Sequence, residues 1–193
     1  LRATGLFSDV TLNAIDTEVP GRKDVRIEVE ERDTTGRWDI GGGASRGQGE
    51  VGYFRLEHTN FDLFALPKSP GDWSNAFVGG GQSIYAEIIP GNAESRYTLG
   101  FHEPYFFSTS RAFTLRTGSQ IFRRGSYDEN RFTTEPEIRQ YLDSDHRLSL
   151  ALGWRLDDVK LGQIDSGAPP AISAGPAEAL LSYPRLSLRY LDL

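Results

Sequence analysis

His146–Leu156 reads HRLSLALGWRL. Leu148, Leu150, Leu152, Trp154 and Leu156 fall on one side of an alternating pattern, with Ser149, Ala151, Gly153 and Arg155 on the other. Successive strand side chains point to opposite faces, so the stretch predicts a strand with one strongly apolar face. Whether that face meets a protein core or lipid decides the fold.

At 193 residues the chain is long enough to bury a core as one domain. Its 38% hydrophobic content has the look of a soluble protein. No run approaches the roughly 20 apolar residues of a membrane-spanning helix, but a membrane barrel alternates and signals only weakly per strand. The net charge of −6, without a basic cluster, gives no sign of nucleic acid. Cysteine is absent, which excludes disulfides, thiol chemistry and thiolate metal sites. The first ten residues, LRATGLFSDV, lack the charged start and apolar core of a signal peptide. Methionine is also absent, and the expectation is a segment of a longer protein.

Two unequal parts follow. Residues 1–35 read as the end of a small mixed domain: a helix end closing at Gly5, then two alternating strands joined by the Pro20-Gly21 turn. Val10, Leu12 and Ala14 share one face of the first strand, and Val25, Ile27 and Val29 one face of the second. Residues 36–193 read as strands and loops: GRWDIGGGAS with GEVGYFRLEHTNF, QSIYAEIIPG with SRYTLGFHEPYFF, and a long fifth strand RAFTLRTGSQIFRRGSYD. After these come EPEIRQYLD and HRLSLALGWRLDDVKL around Asp143-Ser144-Asp145, and a closing strand PRLSLRYLDL. One short helical turn is expected near Glu178. About eight antiparallel strands result, as in sandwiches and barrels.

The second faces favour a membrane barrel. Thr98 and Gly100 back Tyr97, Leu99 and Phe101; Thr114, Arg116, Gly118 and Gln120 back Phe113 and Leu115; Ser187 and Arg189 back Leu186, Leu188 and Tyr190. Small and polar residues suit a wide, wet lumen, while Leu, Phe, Tyr and Trp suit lipid, with the aromatics of EPYFF at a strand end as a girdle. The lipid-facing set is Leu99, Phe101, Phe113, Leu115, Leu148, Leu150, Leu152 and Trp154. The lumen-facing polar set is Arg116, Arg155 and Arg189, the first two expected to pair with lumen acids.

LRATGLFSDV, DVRIEVEER, IGGGASRGQGEVGYFRLEHTNF and LGFHEPYFF resemble, in order and spacing, the outer-membrane assembly factors of the BamA type. The resemblance implies an all-β fold: the N-terminal half of a sixteen-stranded transmembrane barrel at 36–193, preceded by the C-terminal part of the last periplasmic POTRA domain at 1–35. DIGGGAS is similar to the first barrel strand, HTNFDLF to the Asn-aromatic turn after the second, and FHEPYFF to the end of the fourth. The Arg-Gly-Phe loop motif of the family's second half is absent. Half a barrel leaves two open edges, so an open, curved sheet is expected.

The family's activity, implied by the resemblance, is insertion of β-barrel proteins into the outer membrane of Gram-negative-type bacteria, without covalent chemistry or cofactor. Its partners are membrane lipid, unfolded outer-membrane proteins and accessory lipoproteins; mitochondrial and chloroplast relatives share the architecture. The first strand acts there as a lateral gate, which places Trp38, Asp39, Ile40, Gly41, Gly42, Gly43, Ala44 and Ser45 at the site. Three consecutive glycines weaken strand pairing and permit bending, and an open edge can accept an incoming strand. The same glycines also suit a bulge or a barrel corner.

Other chemistries lack their residue patterns. His58, His102 and His146 show no metal-ligand spacing, GGGASRGQG lacks the lysine of a phosphate loop, and no serine sits in a nucleophile elbow. Glu57, Glu135 and Glu137 read as barrel lining or solvated face in preference to a glycosidase pair. A two-partner-secretion pore of the same architecture and a soluble ligand-binding β-sandwich stay open, and a diffusion porin is disfavoured by the periplasmic module.

Overall fold

The computed structural model describes residues 7–17, 21–31, 36–45, 49–73 and 76–192. Two strands, β1 (Phe7–Asp16) and β2 (Lys23–Glu31), pair with each other as an antiparallel ribbon. Their register sets Val10 opposite Val29, Leu12 opposite Ile27 and Ala14 opposite Val25, so the two apolar stripes merge into one face. Val10 is buried, while Leu12, Val25, Ile27 and Val29 stay exposed. The helix end expected before Gly5 lies outside the described residues, as does Pro20 of the turn.

The remaining strands are β3 (Gly36–Ser45), β4 (Gly49–Phe61), β5 (Val78–Ile89), β6 (Glu94–Glu103), β7 (Arg111–Arg124), β8 (Tyr127–Tyr141), β9 (Leu148–Gly162) and β10 (Glu178–Tyr190). They form one eight-stranded antiparallel sheet in which each strand pairs with its neighbours in sequence. β3 and β10 are its edges and do not meet, so the sheet is open, as the half-barrel reading expects. Strands of 10 to 15 residues exceed the usual soluble length of about 5–6.

Three boundaries differ from the sequence reading. β7 stops at Arg124, Gly125-Ser126 makes a two-residue turn, and Tyr127 already belongs to β8. The charged run YDENR, whose first two residues are read from the sequence as the end of the fifth strand, thus opens β8: charge lowers strand propensity, but pairing on both sides overrides it. The short helix α1 spans Pro170–Ser173, upstream of Glu178, with Pro170 at a helix start that needs no N–H. Glu178 instead opens β10, which begins six residues before the Pro184 start expected for the last strand.

The register sorts every strand into two faces. Leu56, Ala86, Leu99 and Thr117 form one cross-strand row on the first face; Ile84, Phe101, Leu115 and Pro136 form another. Trp38 and Ile40 join the same face from β3, opposite Leu56 and Phe54. The second face carries the arginines, glutamates and glycines. There the small side chains of Ala112, Ser149 and Ala151 are buried, whereas Leu150, Leu152, Trp154 and Leu156 across the same strand are exposed. The polar side is therefore the sheltered, inner side. No described strand packs over the apolar face, so a second sheet, as a soluble sandwich requires, is lacking among the described residues.

Candidate functional site

The phase of the hydrogen bonds decides which main-chain groups the two edges offer. Residues of an antiparallel strand alternate between bonding one neighbour and the other. Gly52 N donates to Pro90 O at 2.7 Å and Asn92 N to Glu50 O at 3.1 Å, so even-numbered residues of β4 bond toward β5. Odd ones then bond toward β3, and their partners there are Arg37, Asp39, Gly41, Gly43 and Ser45. Gly36, Trp38, Ile40, Gly42 and Ala44 consequently turn their N–H and C=O groups to the open edge. None is proline, so this row of donors is unbroken.

The opposite edge is built differently. Leu161 N donates to Ala177 O at 2.7 Å and Leu191 N to Arg147 O at 3.0 Å, which sets odd-numbered β10 residues against β9. Pro184 is paired across from Trp154, so its ring nitrogen faces outward and breaks the outer row of donors at mid-strand. A second proline acts inside the sheet. The β8–β9 ladder skips Glu135 and Pro136 between Thr134↔Leu156 and Glu137↔Gly153, as expected where Pro136 supplies no N–H to Trp154. Trp154 thus lies between two prolines, and its indole Nε1 donates to Ser182 Oγ at 2.9 Å.

On the inner face, ion pairs run from β3 across the sheet. Arg37 reaches Asp39 at 3.1 Å and Glu57 at 3.7 Å. Arg55 reaches Glu57 at 3.4 Å and Glu87 at 3.6 Å, and lies 4.7 Å over the Tyr85 ring. Tyr85 lies across Gly100, where a Cβ would collide with its ring, and accepts a hydrogen bond from Arg116 Nε at 3.2 Å. Arg116 and Arg155 then converge on Glu135 at 3.5 and 2.7 Å. Arg155 Nε also donates to Asp157 at 2.9 Å, and Thr133 Oγ1 donates to the other oxygen of that carboxylate at 2.6 Å. The register explains the chain of contacts. Arg37, Glu57, Tyr85, Gly100, Arg116 and Glu135 are successive cross-strand partners, one from each of β3 to β8.

Solved structures share this architecture. The crystal structure of BamA from Haemophilus ducreyi lacking POTRA domains 1–3 superposes with a TM-score of 0.61 over 99% of the chain, at 16% sequence identity. The match covers 36% of that truncated chain, and the likeness is one of fold. Residues 76–171 match the Omp85 superfamily domain. The chain belongs to the Omp85 superfamily. No curated protein sequence matches it. Membership identifies the open sheet of this Omp85 protein as part of an outer-membrane β-barrel, with strands as the membrane-crossing elements. No described helix is long and apolar enough to cross a membrane, which bears only on helices.

The residues singled out in the Omp85 sequence take these places. Trp38 to Ser45 lie on edge strand β3, with Trp38, Ile40, Gly42 and Ala44 presenting main chain outward and Asp39, Gly41, Gly43 and Ser45 bonding β4. Leu99, Leu150, Leu152 and Trp154 are exposed on the apolar face; Phe101, Phe113, Leu115 and Leu148 are half-buried there. Arg116, Arg155 and Arg189 share the polar face. Phe106 stacks on Phe113 at 5.2 Å, whereas Tyr105 and Phe107 stay exposed beyond the strand end. Sequence reasoning missed Arg55, Tyr85, Glu87 and Asp157, which hold the inner contacts together. Their signal was alternate spacing: Arg55-x-Glu57, Tyr85-x-Glu87 and Arg155-x-Asp157 each put two polar groups on one face. No three metal-ligating side chains group together among the described residues.

Proposed function

We propose that this Omp85 chain forms the client-pairing half of a barrel that assembles and inserts other β-barrel proteins into the outer membrane, with β3 as the lateral gate. One observation carries the reading: the β3 edge offers an unbroken row of main-chain groups, whereas the β10 edge is interrupted by Pro184. A client strand recognised through its backbone needs the unbroken row. In lipid each unpaired edge group is costly, so the open edge drives its own occupation. Gly41 and Gly43 sit in the β3–β4 ladder, where glycine weakens the strand and lets it bend away. Inserting a strand requires no covalent step and no cofactor. In this reading bilayer lipid covers the apolar face, unfolded outer-membrane proteins pair with the edge, accessory lipoproteins act from the periplasm, and residues 1–35 belong to the last POTRA domain.

The test compares two prolines. Ile40→Pro removes an outward donor and leaves the β3–β4 bonds intact; Gly41→Pro removes a β3–β4 bond and leaves the outer row intact. With a photocrosslinker at Ala44 and a denatured outer-membrane protein presented to the chain in lipid nanodiscs, Ile40→Pro is expected to abolish most crosslinking. Gly41→Pro is expected to preserve or increase it. Equal crosslinking by Ile40→Pro and the unmodified chain would remove β3 as the pairing edge.

A further inference from the structure

The apolar face changes character at one end of β7. Phe113, Leu115, Thr117, Ser119, Ile121 and Arg123 alternate along that face. Phe113 meets Phe106 at the first end of the strand, and Arg123 is exposed at the other. Ten residues of strand rise about 33 Å, and a barrel tilt of about 40° turns this into about 25 Å across the bilayer, the height of a lipid-facing band. Arg123 therefore stands at the far boundary of the band, on the outward side of the sheet.

Its guanidinium is held in place by one nitrogen. Arg123 Nη1 donates to Gly91 O at 3.0 Å and to Ser95 Oγ at 3.1 Å. Ser95 is 3% exposed, and its hydroxyl in turn donates to Gly91 O at 3.1 Å, so the anchor is a buried one. Nε and Nη2 have no hydrogen-bond partner among the described residues, and Asp128, the register partner on β8, makes no ion pair with Arg123. β7 is an interior strand, paired with β6 and β8, so this is not a property of a sheet edge. Arg123 borders an open hollow of about 520 Å³ that Glu50, Gly52, Pro90 and Tyr97 also line. Lys160 makes the contrast. It lies at the same end of the same face, in line with Asn130 and Ile121, and is answered by Asp158 at 3.8 Å and Glu178 at 3.9 Å.

We propose that this hollow binds the phosphate of a membrane lipid headgroup, with Arg123 as its ligand. A guanidinium offers phosphate a directional, charge-assisted contact, and Nε and Nη2 leave one edge of the fork free for it. Tyr97, half-exposed on the same face, is suited to the headgroup boundary, where aromatic rings with one polar end settle. Glu50 is the one carboxylate lining the hollow and opposes an anion there. The site rests on the reading that lipid covers the apolar face, and not on β3 as the gate.

The full chain in dodecyl maltoside micelles, which carry no phosphate, is given rising mole fractions of dioleoyl phosphatidic acid or of dioleoylglycerol, and bound lipid is counted by native mass spectrometry. Phosphatidic acid is expected to bind at least about fivefold better than dioleoylglycerol, and Arg123→Gln to remove that advantage. Arg123→Lys keeps part of it, which separates loss of charge from misfolding. Glu50→Gln strengthens it, and Lys160→Gln leaves it unchanged. Equal binding of the two lipids, or an advantage that survives Arg123→Gln, overturns the proposal alone. A weaker advantage in Glu50→Gln contradicts a bound anion and also overturns it. Full displacement of phosphatidic acid by millimolar inorganic phosphate assigns the hollow to a free anion and overturns the headgroup. Binding of neither lipid overturns the proposal together with lipid as the cover of the apolar face, whereas failure of the Ile40→Pro crosslinking test touches neither.

Discussion

At the scale of single residues, the inner face depends on glycines in two different ways. A Cβ at Gly118 would run into the Tyr97 carbonyl on β6, which moves only with its strand. A Cβ at Gly100 would meet the Tyr85 ring, which can swing aside. Gly118→Ala is therefore expected to cost about 1–3 kcal/mol through overpacking. Gly100→Ala is expected to cost less while breaking the Arg116–Tyr85 hydrogen bond. Urea midpoints of the refolded chain, read by heat-dependent gel mobility, check the order, and equal midpoints contradict it. Glu135 is the other residue of consequence, since two arginines share its carboxylate. A double-mutant cycle with Glu135→Gln and Arg155→Gln is expected to give a coupling of about 0.5–1.5 kcal/mol. It sits toward the low end because Arg155 is about a third exposed and Asp157 remains as its second partner. A coupling of zero would mean that the pair is solvated and contributes nothing.

At the scale of elements, the β8–β9 turn shows how a connection fixes a register. Asp143 accepts hydrogen bonds from the main-chain N–H of Leu148 at 2.8 Å and of Arg147 at 3.1 Å, and His146 takes a left-handed conformation with its ring 4.1 Å from that of Tyr141. The bond from Leu148 does most to hold the Asp143 carboxyl below its ordinary value of 3.8. A carboxyl with a depressed pKa lends stability that is fully present above its ordinary value and is lost as pH falls through the lowered one. Amide protection at Leu148, corrected for intrinsic exchange, should be flat from neutral pH down to about 5 and fall as pH drops below 3.8. Asp143→Asn should flatten the profile; an unchanged fall in that variant would assign the effect to another group. The Asp-Ser-Asp cluster made this turn legible from residue types alone. The alternation of β9 and β7 was equally legible, because a one-residue slip would exchange their faces. β8 was half missed: Pro136 and the charged YDENR argue locally against a strand, and only its two neighbours make it one. The row from Arg37 to Glu135 was invisible for a related reason. Its members lie 15 to 28 residues apart wherever loops intervene, and only the register assembled by each hairpin brings them together.

At the scale of the whole molecule, the opening leucines of β9 find no protein above them among the described residues, whose sheet has two edges of unequal character. The apolar face joins Trp38 on one edge strand to Leu188 on the other, so a bilayer covering it touches every strand between. Three tryptophans report on this independently: Trp38 and Trp154 lie on that face, whereas Trp73 lies in the β4–β5 connection. Single-tryptophan variants in vesicles of brominated lipid separate them. Bromines carried along the acyl chains should quench Trp154, at mid-strand between Pro136 and Pro184, more strongly than Trp73, while aqueous acrylamide should order them in reverse. Trp38, near the start of β3, should respond most to bromines placed shallowly, close to the headgroups. If a client strand pairs with β3 as proposed, adding a denatured outer-membrane protein should change quenching at Trp38 and leave Trp154 unaffected, because only Trp38 borders the edge. Quenching of Trp154 by acrylamide alone would place water against the apolar face and remove lipid as its cover. A response of both tryptophans to the client would instead mean that the whole sheet rearranges, so that β3 does not act as a local gate.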